Sequence, residues 1–323
     1  MKVGFITTVF MQFGGTETWH RSLLPYINNL THFCVFGQFK GDPSFLPEHV
    51  NVLRGQKGAL AVLKECDVVV TWGITNLDSL CEQAGRRPTL ISVHHGDPTS
   101  SWARKCTDNI RGYVNQIVAV HPEVARIYDG VWIPNGIDIE RIRPTEHASH
   151  LRELWKIGDR KVCFWAARYA PEKNPYLAQR IGERLPQDWV LVMAGDPPES
   201  FKKTTSDRVI HVGSVTHPGD WLSISSCFLS TSDQEGFGLS IGEAMLARVP
   251  VVGTPVGLCQ YPGVCRTFLI RTGRQPVVDA ITSLPPGKQL EAAYDLASKF
   301  SVTKQAESWN NLIKETHALA IIK

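Results

Sequence analysis

The chain has 323 residues, more than one hydrophobic core usually serves, so two domains are expected. With 43% apolar and 20% charged residues it reads as globular rather than disordered or fibrous. The net charge is only +3 and the basic residues are scattered, with Arg86-Arg87 and Arg104-Lys105 as mere pairs, which argues against a nucleic-acid partner and gives no support to a membrane contact.

The opening run, MKVGFITTVFMQFGG, starts as a signal peptide would. Thr7 and Thr8 break its apolar stretch and no small-residue cleavage site follows, so it reads as a first buried strand. Gly14 and Gly15 then lead into a helix expected over 16–28, an anion-ready helix start just after a strand. Short apolar, β-branched runs follow: HFCVFGQF, DVVVTWG, TLISVHH, QIVAVHP and GVWIPNG, with a second helix over 76–85. Between 135 and 160 the run of strands pauses in a polar, charged stretch holding an Asn-Gly turn, as a domain connection does. Strands resume with KVCFWAARY, WVLVMAG, VIHVGSV, CFLSTS and VPVVGTP, interleaved with helices over 176–185 and 239–247, and the chain closes on a long helix.

Continuous rather than alternating apolar character points to parallel strands covered on both faces. Strand–helix alternation throughout predicts open, doubly wound α/β sheets. The expected division is 1–145, 146–303 and a terminal helix over 304–323. Eight cysteines with no C-x-x-C read as buried free thiols of a reducing compartment, and no run approaches the roughly 18 apolar residues of a membrane span. A cytoplasmic protein is expected.

The most informative stretch is DQEGFGLSIGEAMLARVPVVGTPVG, from Asp233 to Gly257. A strand (CFLSTS) runs into a turn (DQEGFG), a helix (LSIGEAMLA) and the next strand (VPVVGTP), and ligands in such folds bind where strand ends meet helix starts. The N–H groups of Gly236, Phe237, Gly238 and Leu239 would face an anion, with the helix dipole assisting and the glycines allowing close approach. Glu235 sits on the turn and Glu243 one turn into the helix; each can accept two hydroxyl hydrogen bonds. An anion in the middle with diols at both ends describes a nucleotide sugar.

That block, with FGGTE, IPNGID, AARYAPEKNP, LVMAGDPPE and HVGSV in order along nearly the whole chain, resembles the signature of family 4 glycosyltransferases, retaining enzymes of the GT-B fold. The pattern departs from the family at Ala247-Arg248-Val249, at GLCQY, at Ala166-Ala167 and at His217. The resemblance implies two Rossmann-like domains, the C-terminal one holding a UDP- or GDP-sugar and the N-terminal one an unidentified acceptor, with the terminal helix crossing back. It implies that Val215 offers backbone groups to the nucleobase. It also implies that a histidine after the TLISVHH strand, either His94 or the adjacent His95, contacts the donor sugar. Arg168 and Lys173 are two cations suited to neutralise a leaving diphosphate. The chain has no D-x-D, so no metal and no other cofactor is expected. Trp102 is a candidate for stacking on an acceptor. A non-catalytic GT-B partner subunit and a sugar-nucleotide epimerase are the rival readings.

Overall fold

A computed structural model describes residues 1–11, 14–269, 273–283 and 287–322. The chain separates into two compact units, one made of Met1–Gly136 and Val302–Lys323, the other of Ile137–Ser301.

The first unit is built on β1 (Val3–Thr7), β2 (Leu30–Val35), β3 (Asn51–Arg54), β4 (Val68–Trp72), β5 (Thr89–His94), β6 (Gln116–Ala119) and β7 (Val131–Trp132). They form one parallel sheet in the order β3-β2-β1-β4-β5-β6-β7. Because successive strand residues point to opposite faces, each apolar run feeds two cores. Phe5, Val68, Val70, Ile91 and Val93 pack with Trp19 and with Trp309, Leu312 and Ile313 of the last helix, Val302–Ile322. Ile6, Val69 and Leu90 pack on the other side with Val62, Leu63, Leu77 and Leu80. Burial on both faces is why these strands read as unbroken apolar runs.

The second unit contains β8 (Lys161–Ala166), β9 (Trp189–Ala194), β10 (Val209–Gly213), β11 (Ser225–Ser230), β12 (Val251–Gly253) and β13 (Arg266–Thr267). The order is β10-β9-β8-β11-β12-β13, again all parallel. Trp165, Leu191, Met193 and Leu229 make its main core. Phe164 faces the other way and meets Trp221 and Phe228. Both sheets reverse their winding at one place, between β1 and β4 and between β8 and β11. In open α/β sheets the crevice beyond the carboxyl ends of those strands is where ligands bind.

Two strands escape a reading of the sequence. β3 is mostly exposed and β13 has two residues, so neither needs an apolar run. Among the described residues no helix is long and apolar enough to cross a membrane.

Candidate functional site

In the second unit the loops after β8 and β11 meet at the winding reversal. Four hydrogen bonds tie them together. Trp165 Nε1 donates to Thr231 Oγ1 (3.0 Å), and Thr231 Oγ1 donates to the Lys173 carbonyl (2.7 Å). Asn174 Nδ2 donates to the Thr231 carbonyl (3.1 Å), and Asp233 N to the Glu172 carbonyl (2.7 Å). Asn174 turns the chain in the left-handed region, φ 49°, from the short 3-10 helix Pro171–Lys173 into the helix Pro175–Gly182. Asparagine tolerates that conformation better than most residues.

This frame brings Lys173 and Glu235 together. Lys173 Nζ lies 2.7 Å from Glu235 Oε1, and the same oxygen accepts from Ser232 Oγ at 2.8 Å. The two side chains are only 15% and 16% exposed. Arg168 takes a different place: its Nη2 pairs with Glu172 Oε1 at 2.9 Å, on an arm that is 59% exposed.

The helix that follows β11, Leu239–Leu246, starts at Gly238, whose φ of +87° a side chain would strain. No side chain caps that start. Phe237 is buried with its ring edge-on to Phe300 (5.3 Å), while Gly236 and Leu239 stay half-buried at the surface of the turn. The GLCQY departure from the family pattern packs beneath this turn: Leu258 N donates to the Phe237 carbonyl at 2.9 Å. Glu243 is buried, and its Oε1 accepts from Arg141 Nε at 3.0 Å. Val215 is half-buried beyond the end of β10, next to Ser214, whose N and Oγ both donate to the Asp196 carboxylate (2.9 and 2.5 Å).

Arg141 and Ser232 are not legible in the sequence. Arg141 is 102 positions from Glu243, inside a charged stretch that reads as a connector. The available signal was Glu243 itself, since a carboxylate on a buried helix face requires a partner.

In the first unit Gly14 precedes the helix Gly15–Leu23. Glu17 folds back over that helix start: its Oε1 accepts from Met11 N at 3.1 Å, and a Cβ on Gly14 would sit 2.1 Å from its Oε2. The negative charge at this helix start is therefore the protein's own.

His94 ends β5 and is buried, with Nδ1 accepting from Gly96 N at 3.2 Å. The neutral ring then carries its proton on Nε2. That nitrogen is shielded from solvent and has no hydrogen-bond partner among the described residues, and burial holds the ring's pKa below the ordinary histidine value. His95 packs edge-on against Trp19 (4.5 Å) and Trp72 (5.8 Å). Its Nε2 is likewise shielded and, among the described residues, unpartnered, and burial, aided by His20 and His94, lowers its pKa well below the ordinary value. Asp97 holds the following turn through Thr99 N (2.8 Å) and Oγ1 (2.7 Å). Trp102 is 51% exposed and touches Trp72 edge-on.

Among solved structures, Anabaena Alr3699/HepE in complex with UDP-glucose superimposes with a TM-score of 0.78 at 18% identity, covering 98% of this chain and all (100%) of that one. WaaG, a glycosyltransferase involved in lipopolysaccharide biosynthesis, gives 0.74 at 14% identity over 96% and 99% of the two chains. The chain has the GT-B fold. In sequence, residues 160–284 of this GT-B chain match the family described as "Glycosyl transferases group 1". That domain carries Arg168, Lys173, Glu235 and Glu243. The lipopolysaccharide core biosynthesis mannosyltransferase LpsB of Rhizobium meliloti (strain 1021) is 28% identical over 181 residues, which take in 49% of this chain and 51% of LpsB. The match thus spans about half the length of that curated relative.

Proposed function

We propose that the protein is a retaining glycosyltransferase that moves a sugar from a nucleoside diphosphate sugar to an acceptor hydroxyl without a divalent metal. The observation that carries this reading is the Lys173–Glu235 pair at the winding reversal of the second sheet. Beside it lie an uncapped helix start at Gly238 and the buried Glu243. A diphosphate on the N–H groups of 236–239 would place Lys173 on the departing charge. Arg168 can leave Glu172 for the same phosphates, because an exposed ion pair holds it by about 0–1 kcal/mol.

Glu235 then reads the sugar hydroxyls and Glu243 the ribose. The departing phosphate itself takes the acceptor's proton on the same face, which keeps the anomeric configuration. His94, neutral and with a buried Nε2–H that has no partner among the described residues, would support the sugar once that nitrogen is uncovered, without acting as a base. The fold neighbour HepE was solved in complex with UDP-glucose, which favours uridine as the base. We place the acceptor on the first unit. The eight cysteines are free thiols, which fits a reducing, cytoplasmic setting.

The test is thermal stabilisation by UDP, GDP, UDP-glucose and GDP-mannose, since a ligand held only by the native state raises Tm. At least one should raise it, and turnover of that donor should survive exhaustive chelation. No shift with any of the four would reject the reading. Turnover lost on chelation and restored only by Mg²⁺ or Mn²⁺ would reject the metal-free route.

A further inference from the structure

The reading of Glu243 as the ribose anchor leaves open what makes a buried carboxylate a reliable acceptor. Among the described residues its hydrogen-bond partner is Arg141, through Nε at 3.0 Å. Glu243 is 6% exposed, and the arginine side chain 27%. A carboxylate buried this far is costly unless it is paired and hydrogen-bonded.

Arg141 is fixed. It belongs to the short 3-10 helix Ile139–Ile142, capped by Asp138 Oδ1, which accepts from Glu140 N at 3.0 Å. The helix Pro218–Ser223 presses on it so closely that a Cβ on Gly219 would lie 2.9 Å from the Arg141 carbonyl oxygen and 2.5 Å from the Ile142 carbonyl carbon. From the other side, a Cβ on Gly242, the neighbour of Glu243, would lie 2.5 Å from Ile137 Cδ1. Ile137 N in turn donates to the Phe300 carbonyl at 2.7 Å. The segment that bears the guanidinium and the helix that bears the carboxylate are therefore packed backbone to side chain, with no slack. An arginine bond to Oε1 restrains the carboxylate's rotation.

We infer that Arg141 is a positioning residue for nucleotide recognition: it holds the Glu243 carboxylate so that its remaining lone pairs meet the ribose hydroxyls, and so makes the site prefer ribonucleotides to those lacking them. The inference rests on the proposed role of Glu243.

Calorimetry on the intact protein with UDP and 2′,3′-dideoxy-UDP tests it, with GDP and its dideoxy form substituted if the wild type binds GDP more tightly. The wild type should prefer the ribonucleotide by about 10- to 100-fold, the range for one or two charged hydrogen bonds. Arg141→Ala should cut that preference to within about threefold, by weakening UDP while leaving dideoxy-UDP nearly unchanged. Arg141→Lys, which keeps the charge but not the planar fork, should fall between. A merely structural role would weaken both ligands equally and leave the preference intact. That result would overturn the inference, and so would a full preference in Arg141→Lys should the alanine variant fail to fold. A wild type that binds UDP without caring about the hydroxyls would remove both Glu243's role and Arg141's. A wild type that binds neither UDP nor GDP would instead reject the functional reading itself.

Discussion

Lys173 Nζ and Glu235 Oε1 are 2.7 Å apart in a contact mostly shielded from water. Partial burial makes such a pair worth more than a surface ion pair, and makes breaking it costly for the partner left behind. In the proposed reaction the lysine matters most as charge grows on the leaving diphosphate, so Lys173→Ala should lower kcat with a small change in donor KM. A loss of about 2–4 kcal/mol is typical for removing one such donor. Steady-state kinetics with the preferred donor decide this, and near-normal turnover would show that the cation is not on the leaving group. At this scale the sequence is informative where chemistry is local. Lys173, Glu235 and Glu243 stand out because their spacing on a loop and a helix start is itself the signal. Ser232 and Arg141 do not, because their roles come from packing: Ser232 is one of several serines near β11, and Arg141 meets Glu243, 102 positions away, only in the folded chain.

The helices that frame the sites carry their own constraints. Gly238 is left-handed at φ +87°, and a methyl there would meet Ile241 Cδ1 at 2.9 Å. Gly238→Ala should cost about 1–2 kcal/mol and weaken nucleotide diphosphate binding together with it. Urea melts with and without UDP measure both, and unchanged stability would remove the glycine argument.

In the first unit the helix Gly15–Leu23 buries His20 among Trp19, Phe10 and Phe33, with Nδ1–H donating to the Thr16 carbonyl at 2.8 Å. Burial pushes its pKa down to about 3 from 6.5. The unfolded chain takes up this proton near pH 6.5 and the folded chain only near 3, so stability is full above pH 6.5 and falls as the pH drops through that window. One histidine contributes about 1.4 kcal/mol of loss per pH unit there. His20→Phe should give up about 1 kcal/mol at pH 7.5 with its hydrogen bond, yet lose about 2 kcal/mol less than the wild type between pH 6.5 and 5. Urea midpoints at these pH values check it, and parallel acid losses would contradict the assignment. Element boundaries were largely readable: the run KVCFWAARY contains β8 (Lys161–Ala166), and the helix expected over 239–247 is Leu239–Leu246. β3 and β13 were not, because edge strands this short or exposed need no apolar pattern.

At the scale of the molecule the sequence carried the architecture. Both sheets are parallel with the winding that strand–helix alternation predicts. The proposed chemistry turns on what the acids near the site are already bonded to. An inverting route needs a base opposite the leaving group, and a double displacement needs a carboxylate nucleophile beneath the anomeric carbon. Glu235 is held by Lys173 and Ser232, Glu243 by Arg141, and Asp97 is engaged with Thr99. His94 and His95 are both pushed toward the neutral form by burial. The proposed same-face reaction, with the leaving phosphate as base, asks none of these groups to take the proton. Proton NMR of the first sugar transferred from α-linked UDP-glucose, UDP-galactose and GDP-mannose, to water or an added alcohol, tests the whole account at once. One of these donors should be consumed, with the α anomer as its first product. An initial β product, or no consumption of any donor, would contradict it.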